Sequence, residues 1–420
     1  MKTTAVRLYG AGDLRLETFE LPAIKADEVL VRIVSDSICM STYKCAIQGT
    51  AHKRVPANVA EHPVIIGHEF SGDIVEVGEN LRSQFKPGMK FALQPAINYK
   101  GSMASPGYSY EFFGGDATYC IIAPEAIEMG CLFEHTGKSY YEASLAEPMS
   151  CIIGAFHAAF HTKNGVYHHE MGIREEGALA ILAGAGPMGL GAIAYALHCD
   201  RQPRLVVVTD VDEARLARAE LLFNPDEVKR ETGIDLYFVN TLRQENAVEY
   251  LKSLSDGGFD DVLVMAPVRA VVEQASAVLR RDGCLNFFAG PTDPAFSAML
   301  NYYDVHYSST HVIGTTGGNT EDMLESLRLS TAGRLDPAVM VTHIGGLNCV
   351  AQTTLNLPHI PGGKKLIYTH VEMPLIALDE LRDYADDDSR YAVLAGIVEA
   401  HKGLWSTEAE EYLLANWAQV

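Results

Sequence analysis

The 420-residue chain is short of positive charge, of regularly spaced cysteine and of long apolar runs, and each shortage excludes something. With 33 Lys and Arg against 54 Asp and Glu, the net charge is −21, and such a field repels nucleic acid and anionic membrane surfaces. Neither is expected as a partner, and an anionic substrate would need a local basic pocket. The eight cysteines at 39, 45, 120, 131, 151, 199, 284 and 349 have no short repeating spacing, so a disulfide framework is not expected. No apolar run is long enough for a membrane span, and Met1 leads within a few residues into Ala5-Val6-Arg7-Leu8-Tyr9 rather than a secretory signal. A reduced, soluble, cytoplasmic protein is the expectation.

What is present is enough apolar material, 48% of the residues, for two cores. The first 150 or so residues read as short strands with Gly and Pro punctuation: 29–34, 72–78 and 117–122, with a turn at Lys86-Pro87-Gly88-Met89-Lys90. That spacing suggests a small barrel. From Ala178 the texture becomes the βαβ rhythm of a parallel sheet, with strands at 178–183, 205–209, 236–239, 262–265 and 285–289. Helices are expected at 187–198, 213–223, 246–254 and 268–279 between them. The fold class is therefore α/β: an irregular β-barrel domain over 1–152 and a doubly wound parallel sheet over 153–318. The chain from 319 to 420 is expected to return to the first domain through a strand near Gly362–Tyr368 and to end in helices, with Asp386-Asp387-Asp388 as a solvated turn.

Gly184-Ala185-Gly186-Pro187-Met188-Gly189 follows an apolar strand and opens a helix, the context in which a glycine loop cradles a pyrophosphate on backbone amides. A tight strand-to-helix turn is the plainer alternative. Asp210 ends the second strand about twenty positions on, where a carboxylate accepts from both ribose hydroxyls and repels a 2′-phosphate, favouring NAD over NADP. Asp212 is better placed to cap the next helix, which also carries Arg215, a further cofactor candidate.

Upstream lie Cys39, Gly67-His68-Glu69 and Glu147-Pro148. Taken singly, Cys39 reads as a buried apolar side chain, His68 as a hydrogen-bonded core histidine and Glu147 as an acid in a first helical turn. Together, thiolate, imidazole and carboxylate are the donors of a catalytic zinc site with one open position. In this order, followed by the glycine loop, they resemble the zinc-dependent medium-chain dehydrogenase/reductase family of alcohol and sorbitol dehydrogenases, over about residues 1–375. The resemblance implies a chaperonin-10-like barrel, a Rossmann domain and zinc held by Cys39, His68 and Glu69 or Glu147, the Glu-Pro form being similar to the sorbitol dehydrogenase branch. The stretch from Pro95 to Tyr119 has no cysteine where many members bind a structural zinc, so one zinc per subunit is expected. Its Tyr99, Tyr108 and Tyr110 read as packing for a loop more than as a pocket rim.

The resemblance also implies a proton relay beginning at Ser41, with Glu69 beside the reacting centre. Where the family often has histidine this chain has Lys44, either a tuned relay member or a group diverted to an anionic substrate. Lys44 lies near His52-Lys53-Arg54, and Lys53 and Arg54 are candidates for a sugar phosphate, against the alternative of a solvated basic loop. An expected helical insertion over 155–176, the Gly345-Gly346-Leu347 region and the C-terminal extension resemble sorbose-1-phosphate reductases. His157 and His161 are spaced i, i+4 in that insertion, with His168-His169 following, and read as a histidine-bearing helix face rather than a metal site. The resemblance implies a homodimer or homotetramer joined near Val312-Ile313-Gly314.

The reading is an NAD- and zinc-dependent oxidoreductase of a polyol or sugar phosphate. The alternatives are an unphosphorylated polyol or alcohol dehydrogenase, a metal-free quinone or enone reductase on the same fold, and a non-catalytic NAD-binding protein.

Overall fold

The computed structural model describes residues 1–163 and 165–417. The chain divides into two compact units, one of Met1–Pro148 with the chain from Asn319 onward, the other Met149–Gly318.

In the first unit the strand Val29–Ile38 is the spine. It pairs antiparallel with Ser71–Val77, with Tyr119–Ile122 and with Lys364–Tyr368. Nine of its ten residues are buried, which explains a run of β-branched residues rather than a clean alternation. Phe70, Phe91 and Phe113 pack with Val31 and Ile33 to form the core beneath it. Each such side chain stabilises the unit by roughly 1.5–3 kcal/mol. A second, three-stranded sheet of Lys2–Gly10, Asp13–Glu20 and Val64–Ile65 is tied on by a bridge between Ala5 and Ala117, giving an irregular barrel.

The returning strand Lys364–Tyr368 sets Lys365 opposite Ile38, so its first residues lie beside Cys39. Two helices, Ser389–Ala400 and Thr407–Asn416, follow. Asp388, the last residue of the acidic run, caps the first by accepting from the Arg390 amide. The Trp405 indole donates to the Tyr368 hydroxyl at 2.7 Å, which donates to Glu410 at 2.8 Å. Glu410 also accepts from the amides of Tyr140 and Tyr141 at 2.6 and 2.9 Å, so the extension is bound through satisfied buried polar groups.

The second unit carries a six-stranded, wholly parallel sheet. Its spatial order is Asp235–Asn240, Leu205–Asp210, Ala178–Leu182, Phe259–Val264, Leu279–Phe287, His311–Gly314. Numbered by sequence that is 3-2-1-4-5-6, the doubly wound order whose switch point lies beside Ala178–Leu182. The helices Pro187–Ala196, Glu213–Leu222, Ala247–Leu254 and Arg269–Val278 occur where the apolar periodicity places them.

The expected helical insertion is corrected. The helix Ala146–Ala158 stops, and Phe160–Lys163 pairs antiparallel with Val166–Met171 around Gly165, whose φ is +77°. Aromatic and β-branched residues flanking an Asn-Gly pair are a hairpin signal that outweighs the histidine spacing. His161 is therefore not on a helix with His157. Its Nδ1 donates to the Asp282 carbonyl at 2.9 Å and its Nε2 lies 3.1 Å from Asp261.

Candidate active site

Cys39 ends the buried spine strand and caps the helix Met40–Gln48, so its sulfur sits where a chain turns from strand to helix. His68 and Glu69 follow Gly67, whose φ of +88° residues with a β-carbon rarely adopt; a Cβ there would also lie 2.1 Å from an Asp36 oxygen. Asp36 fixes this ribbon by accepting from the amides of Ser37 at 2.7 Å and Glu69 at 3.1 Å. Ligand atoms of Cys39, His68 and Glu69 thereby come within 4.8 Å of one another. Glu147 lies outside that group, buried at the start of the helix Ala146–Ala158.

Hydroxyl groups surround the imidazole. Thr42 Oγ1 is 3.2 Å from His68 Nδ1, an outer partner that orients the ring. Ser41 Oγ is 3.2 Å from Nε2 and donates to the Cys39 sulfur at 3.0 Å, so the expected relay residue touches both candidate ligands. Tyr108, expected to serve packing, instead donates its hydroxyl to Ser41 Oγ at 2.8 Å and lies 3.3 Å from His68 Nε2. Tyr99 and Tyr110 do behave as packing residues: the Tyr99 hydroxyl bonds Glu128, and Tyr110 rests on Phe113.

The charges are unbalanced in a way that suits a cation. Burial pushes the Cys39 thiol up, an effect Lys364 only partly offsets. Burial and then the neighbouring Glu69 push the Glu147 carboxyl up to about 7. Glu69 is also raised by burial, but the Lys364 ammonium, hydrogen-bonded to it, holds its carboxyl below the ordinary range; Ser37 donates to its other oxygen. His68 is pushed down by burial, which keeps the imidazole neutral and able to ligate. One ammonium thus serves several buried acids, and a divalent ion among the sulfur, nitrogen and oxygen donors would supply the missing positive charge, so the residues fit zinc. Lys364 and Asp36 escaped the sequence reading. A lysine inside an apolar strand was the available signal for Lys364, since lysine is almost never fully buried unless paired.

Lys44 is half-buried on the helix Met40–Gln48, and Lys53 is exposed. Arg54 is half-buried, its guanidinium carbon 5.2 Å from the Tyr108 ring centroid, and its Nε is buried without a hydrogen-bond partner among the described residues. An orphan donor of that kind costs about 1–3 kcal/mol.

In the second unit the glycine loop has the steric reasons its pattern implies. A Cβ on Gly189 would lie 2.0 Å from the Gly184 carbonyl oxygen, whereas one on Gly186 would meet nothing within 4 Å. Gly186 therefore borders open space at the N-terminus of the helix Pro187–Ala196, the candidate diphosphate cradle, with Met188 half-buried in its first turn. Asp210 Oδ2 accepts from the Ala185 amide at 3.2 Å, holding the loop to the end of the second strand. Asp212 caps the following helix through the Ala214 and Arg215 amides. The Arg215 side chain is exposed and pairs with Asp212 at 3.6 Å.

Residues 25–146 match the alcohol dehydrogenase GroES-like domain, and 187–332 match the zinc-binding dehydrogenase domain. A mannitol-1-phosphate 5-dehydrogenase from Aliivibrio fischeri is 55% identical over 98% of this chain and 97% of its own. The chain belongs to the zinc-binding dehydrogenase family. An L-sorbose 1-phosphate reductase from Klebsiella pneumoniae is 47% identical to this dehydrogenase over 99% of the chain and 98% of the relative. A Sinorhizobium meliloti structure described as a zinc-binding dehydrogenase bound to NADP shares its fold at TM-score 0.70 and 19% identity, covering 88% of this chain and 99% of that one. Zinc and a nicotinamide dinucleotide are accordingly the cofactors of the family to which this dehydrogenase belongs. No helix among the described residues is long and apolar enough to cross a membrane.

Proposed function

We propose that this dehydrogenase interconverts a ketose and an alditol, as the free polyol or its phosphate, with NAD. The observation that carries the reading is the convergence of Cys39, His68 and Glu69 within 4.8 Å in a chain whose other unit bears an open glycine loop followed by Asp210. When bound, zinc supplies a Lewis acid for the alcohol or carbonyl oxygen and the nicotinamide supplies or accepts the hydride. The chain's own residues do the rest. Cys39, His68 and Glu69 hold the metal, with Glu147 as the alternative carboxylate. Ser41 Oγ, bonded to Tyr108 and within reach of Cys39 and His68, takes or returns the hydroxyl proton; Lys44, one helical turn on, is the candidate for its onward path. Gly184, Gly186, Pro187, Met188 and Gly189 cradle the diphosphate. Asp210 receives the ribose, favouring NAD, and Arg215 on the following helix is a further cofactor contact.

The relatives' substrates support the polyol or sugar-phosphate class, and the cysteine-free stretch from Pro95 to Tyr119 supports one zinc per subunit. A homodimer or homotetramer joined along the edge strand His311–Gly314 and a cytoplasmic location complete the proposal. Metal analysis and NADH absorbance over hexitols and hexitol phosphates test it. About one zinc per chain and turnover of one class are expected; full activity in a metal-free, folded preparation would overturn it.

A further inference from the structure

The basic loop holds a device that the hydride-transfer reading does not use. Tyr108 is buried, with its hydroxyl beside Ser41 and His68 and its ring under the Arg54 guanidinium, so one side chain links the reacting centre to a cation. His52 stacks on the same ring, centroids 5.6 Å apart and planes 13° from parallel. The loop is fixed around Arg54: its amide donates to His52 Nδ1 at 3.3 Å, and its carbonyl accepts from Ser109 Oγ at 2.7 Å. Lys44 and Lys53 add their charge, and both act with Arg54 on His52. In a chain of net charge −21 this is a local positive field, and a buried Nε with no hydrogen-bond partner among the described residues leaves part of the guanidinium's donor capacity unused. A planar fork held on an aromatic face suits a phosphate oxygen pair, and an exposed ammonium such as Lys53 does not offer that geometry.

We infer that Arg54, seated on Tyr108, anchors the phosphate monoester of a polyol phosphate and sets the preference for phosphorylated over free hexitols. The inference rests on the hydride-transfer reading above and commits it to the phosphorylated class.

The test compares hexitol 1-phosphates with free hexitols on the zinc- and NAD-loaded enzyme, its Arg54→Gln and Arg54→Lys variants, and Lys53→Gln. Calorimetric binding of the same compounds and of NADH is measured alongside. For Arg54→Gln the ratio of kcat/KM, phosphorylated over free, is expected to fall about 100-fold, chiefly through KM, with Arg54→Lys between it and the parent. Calorimetry should show the same loss for the phosphate ester while NADH affinity holds within about twofold, and retained zinc with an unchanged thermal unfolding midpoint shows that the unit carrying Arg54 is folded. Equal use of free and phosphorylated hexitols by the parent overturns the anchor and leaves hydride transfer standing. A loss confined to Lys53→Gln, or NADH binding that weakens in step with the ester, overturns the assignment to Arg54, the latter by naming the cofactor diphosphate as the anion. Absence of turnover with both classes refutes the hydride-transfer reading, and the calorimetric arm then decides Arg54 separately.

Discussion

Replacing Lys364 by Met exposes the electrostatic design of the first unit. Lys364 and Glu69 are both buried, at 6% and 1% relative exposure, and are hydrogen-bonded to each other. Removing one partner of such a pair leaves an uncompensated charge, which costs about 3–5 kcal/mol. At ~2–4 °C per kcal/mol for a unit of this size, thermal unfolding of chelator-treated protein should fall by roughly 6–20 °C. The pH dependence has a definite sign. Glu69 is held low in the folded state, so its contribution is present above the unfolded carboxylate value and is lost as pH falls through the folded one. Lys364 is held high, opposed by burial but raised by Glu69, so its contribution persists until pH rises through its folded value. In Lys364→Met the Glu69 carboxyl rises by burial, and protonation at pH 5 relieves the buried charge, so the gap from the parent should narrow between pH 7 and pH 5. The double variant Lys364→Met/Glu69→Gln, which removes both charges, should recover more than half the loss. A single variant within about 1 kcal/mol of the parent at pH 7, or a double variant no better than the single, would refute the reasoning.

Other substitutions separate the two units. Cys39→Ser is expected to abolish zinc retention and turnover while NADH binding, followed by fluorescence, stays within about threefold, because the glycine loop belongs to the other unit. Gly186→Val places a side chain in open space and should leave a folded protein whose NADH affinity is at least about tenfold weaker; unchanged affinity would remove the diphosphate from that loop. Asp210→Ser should shift the NADH to NADPH preference about tenfold or more toward NADPH in steady-state assays. The Glu410 carboxyl is raised by burial from 4.5 to about 7, so the folded state keeps a proton that the unfolded chain has lost, and stability falls as pH rises across that window. Glu410→Gln should flatten that part of the stability profile, by about 3 kcal/mol at most, and an unchanged denaturation midpoint series from pH 4.5 to 7 would show that the extension is held otherwise.

The parallel-sheet unit was legible because its strands are continuous apolar runs and its glycines each answer a local steric demand: Gly189 must admit the Gly184 carbonyl, and Gly186 must leave room. The metal-ligand candidates were legible as residue types in an order. Their balance was not, because Lys364 lies 295 positions from Glu69 and only the return of the chain beside Val29–Ile38 joins them. Tyr108 was visible as one of three tyrosines, but nothing local distinguishes a ring that packs from one whose hydroxyl reaches Ser41. The hairpin after Ala158 departs from the helical insertion expected over 155–176, because antiparallel pairing of Phe160–Lys163 with Val166–Met171 decides the segment and the i, i+4 histidine spacing carries no weight against it.

Anomalous diffraction at the zinc edge, on crystals of the zinc-loaded protein, bears most directly on the account. It expects a single peak per chain within bonding distance of the Cys39 sulfur, a His68 nitrogen and a carboxylate oxygen of Glu69 or Glu147. A peak elsewhere, or none at these side chains in protein that still oxidises its polyol, would contradict it.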